Sequence, residues 1–105
     1  MIKTFTPVQA VKVLKDDNVR LIDVRENWEY NIARIEGSEL MPLSNFNQHL
    51  KFLKKDDRLI IYCHHGIRSA SVCNYLVDSG YTDVANLEGG IDAWSHDVDP
   101  SVPIY

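Results

Sequence analysis

Largely apolar runs alternate along this chain with segments in which apolar residues recur every three or four positions. The runs at residues 19–24, 59–62 and 84–87 are too short for helices and predict buried strands. Apolar residues at helical spacing, as in residues 72–77, predict helices between and after these strands. The alternation predicts a layered α/β fold with a parallel sheet.

Local signals predict where several helices begin and end. Residues 6–9 (Thr-Pro-Val-Gln) form a capping box with proline at the first helical position. Ser44 is expected to cap a helix with apolar residues at positions 46, 50 and 53. Gly80 is expected to end the helix after Ser69, and the tail from His96 onward is expected to be extended.

The loop after the strand at residues 59–62 is the most informative segment. Cys63 follows that strand directly, Gly66 gives the turn backbone freedom, and Ser69 opens the amphipathic helix. In open α/β sheets, ligands bind in the crevice beyond the carboxyl ends of the strands. Cys63 is therefore placed as a nucleophile.

Nucleophilic chemistry at Cys63 requires stabilisation of its thiolate, because an ordinary thiol is only a few per cent ionised at neutral pH. The helix dipole alone supplies about 0.3–1 kcal/mol. We therefore expect the backbone N–H groups of residues 64–68 and the Arg68 guanidinium to surround the sulfur. The planar fork of Arg68 suits a sulfonate-, sulfite- or phosphate-like group. The alternative is a buried, inert thiol, but Gly66 and Arg68 at this spacing favour a reactive Cys63.

The neighbouring titratable residues have more ordinary interpretations. Cys73 shares an apolar helical face and is predicted to pack in the core. His64 and His65 either line the mouth of the pocket or are exposed loop residues without a role. A metal site is not expected, because three consecutive residues cannot easily converge on one tetrahedral ion.

Two further charged residues, Asp23 and Arg25, end the strand at residues 19–24. In a parallel sheet they would lie at the same edge as Cys63. They would either form an ion pair that supports the loop or cap the strand end, and a supporting role is favoured. Trp28, Tyr30 and Trp94 are expected in the core or at its edge.

Three segments in order resemble the signatures of the rhodanese-like family of sulfurtransferases. The family loop, Cys-x-x-Gly-x-Arg-Ser, is similar to Cys63, Gly66, Arg68 and Ser69. The matching segments are residues 21–25 with Glu29 and Tyr30, the loop from Cys63 to Ser69, and residues 87–94. The resemblance runs nearly end to end, and it implies a single rhodanese-like domain over residues 1–105.

The resemblance also implies a fold and an activity. The fold is a three-layer α/β/α arrangement around a five-stranded, mostly parallel sheet. The activity is transfer of a sulfane sulfur, through a persulfide on Cys63, from thiosulfate or a similar small anionic donor to cyanide, a small thiol or a protein thiol. The residues expected to bind substrate are His64, His65, Gly66, Ile67 and Arg68, with support from Asp23, Arg25 and Ser69.

Loop length favours this activity over its alternatives. Four residues separate Cys63 from Arg68, whereas related phosphatases have five, and the smaller ring suits a single sulfur atom. The alternatives are a sulfur carrier or interaction module that a partner persulfidates and, less favoured, a cysteine-dependent phosphatase or arsenate reductase. No cofactor is implied.

Composition restricts the partners. The chain has 105 residues, 45% of them hydrophobic, and a net charge of −4, which argues against a nucleic-acid surface. No apolar run is long enough to span a bilayer, and the first residues do not resemble a signal peptide. Charge and hydropathy therefore predict no nucleic-acid or membrane partners. Because Cys63 is expected to be reduced or persulfidated, we expect a cytoplasmic protein.

Overall fold

Five short strands form one sheet in the computed structural model, which describes residues 2–105. The strands are β1 (Lys3–Phe5), β2 (Val19–Asp23), β3 (Glu39–Leu40), β4 (Arg58–Tyr62) and β5 (Asp83–Leu87). Their order is β1-β5-β4-β2-β3, and every neighbouring pair is parallel. The predicted α/β fold with a five-stranded sheet is confirmed, and the sheet is entirely rather than mostly parallel.

Helices cover both faces of this sheet. They are α1 (Pro7–Val13), α2 (Asn27–Ile32), α3 (Phe46–His49), α4 (Ile67–Asp78) and α5 (Gly90–Asp97). Helix α1 begins at the predicted capping box, in which Thr6 Oγ1 accepts from the Gln9 amide at 3.2 Å. Helix α4 begins two residues before the predicted Ser69 and ends just before Gly80.

The pleat of β4 divides the buried residues into two cores, because successive side chains point to opposite faces. Leu59, Ile61 and Cys63 pack on the face covered by α3 and α4. Ile60 and Tyr62 pack on the other face, against α1 and α5. The three layers therefore follow from the strand alternation, and this alternation also turns the Cys63 side chain toward α4.

Three local predictions are wrong. The helix expected after Ser44 is only the four-residue α3, flanked by 3₁₀ turns at Leu43–Asn45 and Leu50–Phe52. The Ser44 hydroxyl donates to Glu26 Oε1 at 2.7 Å instead of capping that helix. Trp28 is 61% exposed rather than in the core. The predicted extended tail does not begin at His96, because His96 lies in α5. In the residues after that helix, Val102 is buried.

Elements β1, β3 and α2 have no counterpart in the sequence-based assignment, because two to six residues carry too little periodicity to be recognised. They still matter for function, since α2 contributes Glu29 to the region around the Cys63 loop. None of the helices within residues 2–105 combines the length and the apolar character needed to cross a bilayer.

Candidate active site

Strand register brings the functional residues to one edge of the sheet. Asp23 of β2 pairs with Tyr62 of β4, and Ile61 of β4 pairs with Asn86 of β5. Cys63 follows Tyr62, so it lies between the ends of β2 and β5, where the sequence placed it. Its residue is only 1% exposed. The thiol is thus recessed at the carboxyl edge of a parallel sheet, the usual position of an α/β ligand site.

The start of α5 fixes the peptide groups of the Cys63 loop. The amide of Ile91 donates to the Cys63 carbonyl at 2.9 Å, and the amide of Asp92 donates to the His64 carbonyl at 3.1 Å. A Cβ on Gly90 would lie 2.4 Å from the His64 oxygen and 2.5 Å from the Cys63 oxygen. Only glycine at position 90 allows this close approach of the two backbones, so the start of α5 fixes the position of the Cys63 loop.

The sulfur itself accepts two backbone hydrogen bonds within residues 2–105. They come from the amides of Gly66, at 3.2 Å, and Ser69, at 3.4 Å. Gly66 has a φ of +95°, which turns its amide toward the sulfur and which other residues rarely adopt. The sequence-based expectation of amides from residues 64–68 is therefore partly wrong: Gly66 contributes, and the second amide belongs to Ser69, one residue further into α4.

Ser69 adds a side-chain contact that continues to β5. Its hydroxyl lies 3.3 Å from the Cys63 sulfur and donates to Asn86 Oδ1 at 2.5 Å. The Asn86 amide donates in turn to the Gly66 carbonyl at 3.1 Å. Asn86 was not singled out from the sequence, although it is a buried polar residue within an otherwise apolar strand. It ties both residues that contact the sulfur to the sheet.

Arg68 is engaged by α2 rather than by the sulfur. Its Nη1 and Nη2 groups donate to the two carboxylate oxygens of Glu29 at 2.7 and 2.9 Å. The Glu29 side chain is only 4% exposed, whereas that of Arg68 is 36% exposed. Hydrogen bonds from Arg68 lower the pKa of Glu29 to about 2, so this pair is ionised throughout the neutral range. The predicted substrate contact of Arg68 stays a prediction.

A second ion pair lies beneath the first. Asp23 and Arg25 are fully buried and form the predicted pair, with Nη2 of Arg25 2.7 Å from Oδ2 of Asp23. The Nη1 group of Arg25 donates to the Tyr105 hydroxyl at 2.7 Å, and that hydroxyl donates to Glu29 Oε2 at 2.8 Å. Tyr105 therefore links the buried pair to the Glu29–Arg68 pair. Its own pKa is raised to about 12, mainly by burial.

Aromatic rings cover the outer side of the loop. The His64 ring stacks on Tyr105 at 3.9 Å and on His65 at 4.0 Å, and burial lowers the pKa of His64. His65 and Ile67 are exposed. Ligand atoms of His64, His65 and Asp92 lie within 4.8 Å of one another. His64 Nε2 is buried and has no hydrogen-bond partner among the described residues, so the expected absence of a metal site here stays a prediction.

Comparison with known proteins identifies the family. The sequence profile of the Rhodanese-like domain matches residues 6–97. The chain belongs to the rhodanese-like domain family. Thiosulfate sulfurtransferase GlpE of Pseudoalteromonas translucida is 32% identical to it over 92 residues, which cover 88% of each chain. The structure of a rhodanese-related protein from Thermoplasma volcanium matches with a TM-score of 0.84 and 27% identity, over 98% of this chain and 99% of that one.

Longer proteins also contain this domain. The probable adenylyltransferase/sulfurtransferase MoeZ of Mycobacterium tuberculosis is 37% identical over 87 residues, which cover 81% of this chain and 22% of MoeZ. This rhodanese-like chain therefore spans about a fifth of the length of that relative. Together these similarities show a rhodanese-like domain from a family that includes sulfurtransferases.

Two residues that sequence reasoning missed, Glu29 and Tyr105, complete the rhodanese-like site. Glu29 belongs to a recognised motif, and its charge next to an aromatic residue could have indicated a partner for Arg68. Tyr105 lies 76 positions from Glu29, and no local pattern relates the two. Cys73, in contrast, packs in the core as predicted, and burial raises its pKa to about 12.

Proposed function

We propose that this rhodanese-like domain is a sulfurtransferase that carries a sulfane sulfur on Cys63 as a persulfide. The observation that carries the proposal is the pair of amides, from Gly66 and Ser69, that donate to the Cys63 sulfur. Amide dipoles aimed at a recessed atom stabilise negative charge there. The same two donors can serve the thiolate before attack and the terminal sulfur of the persulfide afterwards.

The first half-reaction loads the cysteine. The Cys63 thiolate attacks the outer sulfur of thiosulfate or a similar donor, forming a new S–S bond. The sulfur–sulfur bond of the donor breaks, and its electron pair leaves with sulfite or with the thiolate of the donor. Because the enzyme sulfur attacks and then carries the transferred atom, this is covalent catalysis.

The second half-reaction transfers the outer sulfur from Cys63 to an acceptor. An acceptor thiolate or cyanide attacks the outer sulfur of the Cys63 persulfide, and the electron pair of the broken bond returns to Cys63. The product is an acceptor persulfide or thiocyanate, and the enzyme is restored. Ser69 supports both half-reactions, since its amide and hydroxyl contact the sulfur that alternates between thiolate and persulfide.

The shape of the site supports sulfur transfer over phosphate chemistry. Cys63 is 1% exposed, so a donor must reach it with a narrow terminal atom such as a sulfane sulfur. A phosphoryl group needs donors for three equatorial oxygens. Here two amides point at the sulfur, and both Nη groups of Arg68 already bind Glu29.

Intact-mass spectrometry tests the proposal. We expect thiosulfate or a small organic persulfide to add the mass of one sulfur atom to the reduced protein, and cyanide or a thiol to remove it. Cys63→Ser should abolish the addition, and Cys73→Ala, which removes the other thiol, should retain it. A wild-type protein whose mass changes with neither class of donor would refute the proposal.

Two further assays, run beside the mass measurement, separate the alternatives. A sulfur carrier would accept the atom from a partner protein but exchange slowly with small donors and acceptors. A phosphatase would hydrolyse p-nitrophenyl phosphate in a Cys63-dependent manner without gaining sulfur.

A further inference from the structure

The Arg68 guanidinium, which was predicted to bind an anionic substrate, is already paired with the carboxylate of Glu29. Arg68 is the second residue of α4, directly after the Cys63 loop, and both of its Nη groups bind Glu29. A bidentate carboxylate is the strongest partner that this guanidinium can have within the protein. A negatively charged donor must therefore share Arg68 with Glu29.

Glu29 is held firmly in that place. Its side chain is 4% exposed, and besides Arg68 it accepts from the Glu26 amide at 3.1 Å and the Tyr105 hydroxyl at 2.8 Å. These contacts oppose a rotation of the Glu29 side chain that would free the Arg68 guanidinium. The carboxylate stays ionised at neutral pH, as its lowered pKa indicates.

The charges around the sulfur cancel in pairs. Arg68 is matched by Glu29, and Arg25 is matched by Asp23. Burial favours the neutral form of His64, and Asp92 adds a carboxylate near the histidines. The site thus offers no net positive charge from these groups to a donor that carries two negative charges, such as thiosulfate.

We propose that Glu29 is a specificity-determining residue that biases this site away from dianionic donors and toward organic persulfides. The inference rests on the proposed sulfurtransferase function and specifies the class of its donor. In the favoured reaction, the Cys63 thiolate attacks the outer sulfur of R–S–SH. The donor S–S bond breaks, R–S⁻ leaves, and Cys63 retains S–SH. A single negative charge is conserved throughout, whereas thiosulfate would bring two more.

Replacing the carboxylate with an isosteric amide tests this directly. We would measure kcat/KM of wild type and Glu29→Gln with thiosulfate and with the persulfide of N-acetylcysteine methyl ester, whose carrier is uncharged. Removing one charge opposite a dianion should raise kcat/KM for thiosulfate about tenfold, while the value for the persulfide should change less than about twofold. The gain should shrink as ionic strength rises.

A control variant separates this local effect from a change in net charge. Asp78 is exposed at the end of α4, remote from the loop at the start of that helix. Asp78→Asn alters the net charge by the same amount and should change neither donor's kcat/KM by more than about twofold.

A second variant keeps the inference testable if Glu29→Gln does not fold. Tyr105→Phe retains the ring on His64 but removes one of the hydrogen bonds that hold Glu29 in place, so Glu29 should release Arg68 more readily. We expect kcat/KM for thiosulfate to rise about twofold to threefold, with the value for the persulfide less affected. If Glu29 had a purely structural role, both variants would instead show a lower kcat/KM with both donors.

The outcomes are distinguishable. If Glu29→Gln changes kcat/KM equally for both donors, or for neither, the proposed specificity role of Glu29 is wrong, while the proposed sulfurtransferase function stands. If Cys63 accepts sulfur from neither donor in the wild-type protein, the proposed function itself fails.

Discussion

Two buried cysteines of the same chain lie in opposite surroundings. Cys63 and Cys73 are both free, and they are 1% and 0% exposed. Two amides and a hydroxyl contact the sulfur of Cys63. Cys73 lies among apolar side chains of the core between α4 and the sheet, where burial raises its pKa to about 12. Under the proposed function, therefore, burial would not decide the reactivity of these thiols, and the dipoles aimed at the sulfur would.

The difference comes from the backbone rather than from the cysteines. Cys73 is inside α4, where the backbone amides are engaged in the helix itself. Cys63 precedes α4, where the first helical amides have no intrahelical acceptor. The positive φ of Gly66 and the approach of Gly90 aim these amides at the sulfur. Changes to this backbone should affect Cys63 alone.

The largest effect should come from Gly90→Ala. The added Cβ would meet the carbonyls of Cys63 and His64 at 2.5 and 2.4 Å, so the loop must move. A displacement on the order of 1 Å costs about 100-fold in rate, and we expect sulfur transfer to fall by that factor. The positive φ adds a loss of stability of about 1–2 kcal/mol.

Gly37→Ala is the matched control for that variant. Gly37 has a φ of +85°, but a Cβ there has no heavy atom within 4 Å. It should cost about 1–2 kcal/mol of stability and leave sulfur transfer nearly unchanged. Equal activities of the two alanine variants in a thiosulfate or persulfide assay would show that the contact between α5 and the loop does not position Cys63.

A smaller effect is expected for Ser69→Ala. The variant keeps the Ser69 amide but removes the hydroxyl near the sulfur and leaves Asn86 Oδ1 without its donor. Loss of a hydroxyl that contacts the sulfur and donates to Asn86 is worth about 0.5–1.5 kcal/mol, as for one hydrogen bond, so kcat/KM should fall roughly threefold to tenfold.

Ser71→Ala, an exposed change on the same helix, serves as the control for Ser69→Ala. If both alanine variants retain full activity, the hydroxyl contact contributes nothing to catalysis.

The smallest effect on activity, and a specific one on stability, is expected for Cys73→Ala. Sulfur transfer should stay within about twofold, and stability at neutral pH should fall by about 1 kcal/mol. The pKa of Cys73 rises from 9.0 to about 12 on folding, so the unfolded chain releases its proton first. Stability is therefore intact below pH 9 and is lost as pH rises from there toward 12.

Denaturant unfolding at several pH values tests this stability effect. The wild-type free energy of unfolding should drop more steeply between pH 9 and pH 11 than that of Cys73→Ala. Because other groups titrate in this range in both proteins, the difference between the two curves is the relevant quantity. Parallel curves would mean that Cys73 is accessible to solvent in the folded protein.

Sequence reasoning placed Cys63, the proposed nucleophile, at the sheet edge where the structure has it, but found only part of its charged surroundings. Cys63, Gly66 and the start of α4 follow from a strand, a turn and an apolar helical face that are contiguous in the chain. The Asp23–Arg25 pair was accessible for the same reason, since both residues end one strand. The Arg68 partner was not, because Glu29 lies 39 positions away on a helix too short to be recognised.

Long-range placement also explains the remaining misses. Tyr105 reaches Arg25 and Glu29 because the tail after α5 turns back over the sheet edge, which a local pattern of prolines and aspartates does not reveal. Trp28 looked like a core residue from its type alone, yet α2 turns Glu29 inward and leaves Trp28 outside. Residue type predicts burial less well than the face of the element that carries the residue.

Peptide mapping of the wild-type protein after exposure to a sulfane donor tests the central claim most directly, because both thiols compete in one molecule. After brief treatment, trapping of persulfides and proteolysis, the additional sulfur should be found on the fragment that contains Cys63 and be absent from the fragment that contains Cys73. Sulfur on Cys73, or equal labelling of both, would contradict the account, since the amides of the loop would then confer no reactivity.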